Sequence, residues 1–264
     1  METGIEPRLG KLFSAYLLAC RRLRIERETD GIMARLGAIE DPEIRLYRFG
    51  ERLRSLPTEA AAWTLARVQD RVADGDGRAR RFGFGLLDKS RLERVMSPEG
   101  LQAIAEALQA RGRPGALLFG RTPRMGEGGD DGTLPPPKEP VGYRISLARR
   151  AMAGMLERLL FDPDPRVVRA LLGNPRVTEA DVVKLAASRR AGPQALEAIA
   201  QDDRWIVRYA IKVALANNPT APIRIVIGLL PYLMHQDLRT LSASSSREDV
   251  RIQAAALLAR RSGT

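Results

Sequence analysis

The chain has 264 residues and a formal net charge of +11. That is enough chain for one large domain or two small ones, and the basic excess favours an anionic partner such as nucleic acid, an acidic protein surface or lipid headgroups. One cysteine, Cys20, and one histidine, His235, exclude an internal disulfide and a cysteine–histidine zinc or iron–sulfur site, so no metal and no cofactor is expected.

Hydrophobic residues make up 44% of the chain and aromatics 5%. An apolar content carried by Ala, Leu, Val and Ile suits packed helices better than a β-sandwich. Arginine far outnumbers lysine, a bias that genomic base composition alone can produce, so the sign of the charge is discounted accordingly. Neither "AYLLAC" nor "APIRIVIGLLPYLM" is long enough to span a bilayer, and the second carries Arg224. No signal-peptide pattern opens the chain, and the expectation is a soluble cytoplasmic protein.

Residues 1–111 are predicted to be helical. Leu9, Leu12, Phe13, Tyr16, Leu17 and Cys20 fall at helical spacing, followed by an arginine-rich face. Trp63, Leu65, Val68 and Val72 follow Pro57 in a second helical pattern. "ADGDGRARRFGFG" reads as a loop: "DGDG" lacks the later ligands of a calcium site, and Phe82 and Phe84 are expected to pack inward rather than form an RNA platform. Ser97-Pro98 opens a further helix with an N-cap and a proline at the first position, and Gly112 is placed to end it.

Residues 112–142 are dominated by Gly and Pro, with Pro135, Pro136 and Pro137 in a row. Such a segment offers too little apolar surface to offset its ordering entropy, and a flexible, disordered linker is expected. Its one apolar patch is Ala116–Phe119. The charge divides unevenly around it, because residues 143–264 hold 19 basic and 11 acidic side chains while residues 1–111 hold 20 and 17. Anion binding is therefore to be sought in the C-terminal part.

Residues 143–264 contain echoes of themselves. Asn174-Pro175 and Asn218-Pro219 stand 44 residues apart, and Val182, Val183, Leu185 and Ala186 after the first align with Val226, Ile227, Leu229 and Leu230 after the second. Val168-Arg169, Val207-Arg208 and Val250-Arg251 recur at steps of 39 and 43 residues, a period expected of a two-helix solenoid unit. Asp162, Asp164, Asp202, Asp203, Ser245 and Ser246 precede the Val-Arg pairs, where they can cap helix starts. Thr178 with Asp181 offers a capping pair. Asn-Pro stops a helix because the residue before proline is pushed out of the α region. Val207, Ala210, Ile211, Ala214 and Leu215 form one apolar stripe, which a helix pair can bury only by stacking on its neighbours.

This pattern, D-x-x-x-V-R, an Ala/Leu-rich helix, N-P and a second apolar helix, resembles bacterial HEAT-like repeats and the related leucine-rich repeat variant over about residues 145–261. The resemblance implies an all-α fold with a short HEAT-like α-solenoid in the C-terminal half, about three helix pairs serving as a binding surface. The iron–sulfur members of the variant family carry a cysteine cluster that this chain lacks. Asp41–Phe49, "DPEIRLYRF", is a fainter echo.

No nucleophile motif or phosphate loop is found, and His235 reads as a surface or helix-end residue. The acidic pairs read as caps rather than acid–base dyads. The candidate partner-binding residues are Trp205, Arg169, Arg204, Arg208 and Arg251. Trp205 stands where the other copies carry Arg166 or Glu248 and has the character of an interface hot spot, or else of a gap filler. Arg169, Arg208 and Arg251 either tie helices to acidic neighbours as a ladder or line a basic groove; the ladder is preferred because buried charges need partners.

The function expected is a non-enzymatic scaffold or adaptor that binds another protein, with no catalytic residue assigned. The alternative is nucleic-acid binding by the basic C-terminal half. HEAT-like DNA glycosylases set a carboxylate beside aromatics, and Asp202 or Asp203 with Trp205 is the local grouping of that kind. A factor akin to the HEAT-like proteins associated with chromophore lyases is a further alternative.

Overall fold

The computed structural model describes residues 6–120 and 138–263, and among these every regular element is helical. The all-α expectation holds. No helix among the described residues is long and apolar enough to cross a membrane. The chain divides into two compact units, Met1–Phe119 and Gly120–Thr264.

The first unit contains α1 (Glu6–Leu36), α2 (Pro42–Arg54), α3 (Thr58–Ala73), α4 (Gly77–Leu87), α5 (Lys89–Met96), α6 (Pro98–Gln109) and α7 (Ala116–Phe119). The stripe from Leu9 to Leu17 lies outside the described side chains; Cys20 is exposed. Short polar residues start the helices. Asp41, Asp76, Asp88 and Ser97 each accept hydrogen bonds from backbone N–H groups of the turn they open. The "RARRFGFG" stretch is helix α4, not a loop. Asp76 caps it, and the side-chain burial that a loop would not need fixes it: Phe82 is buried against Phe49 with ring centroids 5.4 Å apart. Gly50 is buried where α2 meets α5, and a Cβ there would sit 2.9 Å from Val95 Cγ1, so the approach requires glycine.

The expected linker starts too early. Gly112, at φ 60°, ends the turn after α6 as its position suggests. The chain beyond it stays with the first unit: Arg113 pairs with Asp70, and Phe119 is buried in α7, which packs on α6. The rest of the expected linker, residues 121–137, lies outside the described residues.

The second unit contains α8 (Val141–Arg150), α9 (Ala153–Leu160), α10 (Pro165–Leu172), α11 (Glu179–Ala187), α12 (Pro193–Gln201), α13 (Asp203–Ile206), α14 (Tyr209–Asn217), α15 (Ile223–Leu229), α16 (His235–Ser244) and α17 (Glu248–Ser262). A 3-10 turn, Leu230–Tyr232, follows α15. Asp164 and Asp202 cap α10 and α13, and Thr178 with Asp181 forms a reciprocal capping box on α11. Asp162 has another task. It is buried, accepts two hydrogen bonds from Arg144 Nη1 at 2.9 and 2.7 Å, and accepts the Asp164 N–H.

The Asn-Pro positions do more than stop helices. Asn174 is buried, and its Nδ2 donates to the carbonyls of Ala148 (2.8 Å) and Ala151 (3.2 Å) at the end of α8. Asn218 is buried likewise, and its Nδ2 donates to Ala186 (2.7 Å) and Ser188 (2.9 Å) at the end of α11. Each Oδ1 accepts the N–H two residues on, from Arg176 and Thr220. At the end of α17, Arg261 performs the same task on the turn after α15, donating to Leu233 (2.7 Å) and Pro231 (2.6 Å) carbonyls. Asn174, Asn218 and Arg261 lie 44 and 43 residues apart. The three clasps bracket the runs α8–α10, α11–α14 and α15–α17 along the chain.

The broken helix also corrects the apolar stripe. Between α13 and α14 the backbone of Arg208 is extended, at φ −71° and ψ 129°. Ile211 and Leu215 are fully buried, but Val207 is 55% exposed and Ala210 is exposed. The Val207 carbonyl, freed by the break, accepts Lys212 Nζ at 3.0 Å.

Replacing Asn218 with alanine leaves the buried Ala186 carbonyl without its donor and the Ser188 carbonyl with the Ala191 N–H alone, and is expected to cost about 1–3 kcal/mol in a urea titration. Asn217→Ala, at an exposed neighbour whose side chain bonds only within α14, serves as control and is expected to be nearly neutral. Equal losses for the two variants would contradict the clasp.

Candidate functional site

A depression in the second unit lies between α8 and α10. It measures about 580 Å3 and is lined by Ile145, Arg149, Arg166, Arg169, Ala170 and Gly173. The local sequence explains the lining. Ile145 and Arg149 stand four apart on α8, and Arg166 and Arg169 three apart on α10, so each pair shares a helix face. Asp164 and Pro165 start α10, and Gly173 follows its last residue, Leu172. The groove's floor is small and apolar and its walls are guanidinium groups.

The three arginines are held differently. Arg166 forks onto Asp164, with Nε 3.1 Å from Oδ1 and Nη2 2.8 Å from Oδ2, and the Arg166 N–H donates to the same carboxylate. The hydrogen bond from the Arg166 side chain holds the Asp164 carboxyl down to about 2. Arg169 reaches only Gln201 Oε1 on α12, at 3.5 Å. Arg149 is exposed and has no hydrogen-bond or ion-pair partner among the described residues. A smaller depression of about 420 Å3 in the first unit also carries arginines, Arg35, Arg48 and Arg52, but its lining includes Glu51, which pairs with Arg48.

Of the residues proposed from sequence, only Arg169 lines the groove. Arg208 pairs with Glu179 at 2.9 Å, both side chains about half exposed, so the pair adds little stability. Arg251 Nη1 donates to the Ser245 carbonyl in its own turn at 2.8 Å. The three arginines therefore form neither a ladder to acidic residues nor one basic row, because the break before Tyr209 and the single helix α17 place equivalent positions differently. Arg149 and Arg166 were missed, although their spacing from Ile145 and Arg169 was the signal that could have found them.

Trp205 requires a larger correction. It is 2% exposed, its Nε1 donates to the Leu172 carbonyl at 3.0 Å, and Arg204 lies over its ring with the guanidinium carbon 4.4 Å from the centroid. An indole at this depth joins α13 to the end of α10 and is not free to meet a partner. The same burial dissolves the glycosylase-like grouping, since no aromatic wall stands beside Asp202. That carboxylate instead accepts the Arg204 N–H at 2.9 Å as a helix cap. His235 is the exposed first residue of α16. Among the described residues no group of three or more His, Cys, Asp or Glu side chains is placed to hold a metal ion.

Comparison with known protein families, with curated proteins and with solved structures finds no match to this chain. The site's chemistry therefore rests on its own geometry.

Two outcomes follow. Trp205→Ala is expected to destabilise the protein by about 3–5 kcal/mol through the cavity and the lost hydrogen bond; a variant with wild-type melting temperature would restore the interface role. Burial raises the Asp202 carboxyl above its ordinary value, against the pull of the Arg204 and Trp205 N–H groups. Ionised Asp202 therefore costs stability above its folded pKa, and that cost is gone below the ordinary value of 3.8. Asp202→Asn keeps a capping oxygen, so calorimetry should show a higher melting temperature at pH 7 and a gain that fades in acid. A lower melting temperature at pH 7 would contradict this reading.

Proposed function

We propose that the chain is a non-enzymatic scaffold or adaptor whose second unit is a HEAT-like stack of three helical layers, presenting the α8–α10 groove to another protein. The observation that carries the reading is Arg149: a solvent-exposed cation in a groove, with no partner among the described residues, beside an Arg169 held only by an amide. Surface arginines in a finished fold often settle on carboxylates, as Arg208 and Arg166 do here. Donors left open in a concavity suit an external acceptor. The repeat reading draws support from the recurrence of one hydrogen-bonding device at Asn174, Asn218 and Arg261.

Nucleic-acid binding is the second reading. It is favoured by the doublets Arg149-Arg150 and Arg189-Arg190, which flank the two turns clasped by Asn174 and Asn218. Affinity purification of the tagged chain from its native cell, with and without nuclease, separates the two. The adaptor reading predicts a stoichiometric protein partner that survives nuclease. Recovery of protein only through nucleic acid, or of no partner, would overturn it.

A further inference from the structure

We infer that the groove between α8 and α10 holds an acidic, partly apolar segment of a partner protein, gripping two of its carboxylates with Arg149 and Arg169. This rests on the adaptor reading and specifies what the adaptor takes. The first argument is charge. Three guanidinium groups line the groove, but Asp164 forks onto Arg166 and neutralises it. Asp164 stays ionised throughout the neutral range, since its carboxyl is held down to about 2. Two cations remain for a ligand, so the complement is a pair of negative charges.

The second argument is shape and polarity. Ile145, Ala170 and Gly173 give the groove a small apolar floor. An apolar lining set between cations suits a peptide that brings both apolar and acidic side chains. A phosphate backbone has no apolar group to offer the floor, and it is drawn instead by rows of cations without carboxylates among them. Guanidinium is suited to the occupant proposed, because a carboxylate can take two parallel N–H donors from one arginine.

The fixed role of Arg166 gives the groove a direction. Both its Nε and one of its terminal nitrogens are committed to Asp164, so it acts as a wall rather than a grip. Arg149 on α8 and Arg169 on α10 stand on opposite sides and are the two grips.

The test uses the full chain and a fluorescein-labelled dodecapeptide of Glu, Leu and Gly, read by anisotropy at fixed salt. Its Gln-for-Glu counterpart and a labelled oligothymidylate of the same length are the comparison probes. The Glu peptide should bind, and Arg149→Gln and Arg169→Gln should each weaken it about tenfold, as loss of a charge-assisted hydrogen bond implies. Arg176→Gln, at an exposed arginine outside the groove, should leave affinity unchanged, and the Gln peptide and the oligonucleotide should bind more weakly than the Glu peptide. Circular dichroism verifies that the variants are folded. Failure of the Glu peptide to bind, indifference to both groove substitutions, or tighter arginine-dependent binding of the oligonucleotide would overturn the assignment. A cellular protein partner recovered equally by wild type and by the Arg149→Gln/Arg169→Gln double variant would overturn the groove assignment while leaving the adaptor reading intact.

Discussion

A buried side-chain amide that ties the end of one helix to the turn after another is the interaction on which the second unit depends. A helix end leaves carbonyls without partners, and burial makes that expensive. At Asn174 one Nδ2 group answers two such carbonyls, at Asn218 it answers the Ala186 carbonyl and joins the Ala191 N–H on that of Ser188, and each Oδ1 shapes the next turn. On α17, Arg261 answers the same need for the turn after α15 with a longer, charged donor. Because both amide donors point to carbonyls of the first helix in the set, the last helix is fixed against the first, and the side chains between them can pack without gaps. The groove is one consequence: α8 and α10 are bound together at the Asn174 end, and the space beside them is walled by their outward arginines.

Much of the fold was legible in the sequence. Caps at Ser97, Asp164, Thr178 and Asp202 act locally, through bonds to N–H groups two or three residues away, so short-range spacing reveals them. The recurrence of Asn-Pro and Val-Arg was visible for the same reason. What those asparagines bond to was not, since Ala148 and Ala186 lie 26 and 32 residues upstream. The third clasp was hidden further, because it is made by an arginine and not an amide.

The errors have a common cause. Val207 matched a helical stripe, but a break of one residue turned the frame and left it exposed. Trp205 looked unlike its counterparts and so suggested an interface; in three dimensions the difference fills the space between α13 and the end of α10. "RARRFGFG" contains two glycines that weaken helix propensity, yet burial of Phe82 against Phe49 overrides them. In the groove, Arg169 was named for its place in a repeat; Arg166 stands three residues from it on the same helix, whereas Arg149 is joined to it by packing of α8 on α10, which period alone does not disclose.

The chain has three asparagines, Asn174, Asn217 and Asn218, and this makes the clasp directly measurable. Hydrogen exchange of the asparagine side-chain amides, followed by NMR, reports on each one separately. Slow exchange at Asn174 and Asn218, set against fast exchange at the exposed Asn217, is the expected pattern. Exchange at all three as fast as at Asn217 would show that the amides do not clasp the helix ends, and would contradict the account of the second unit.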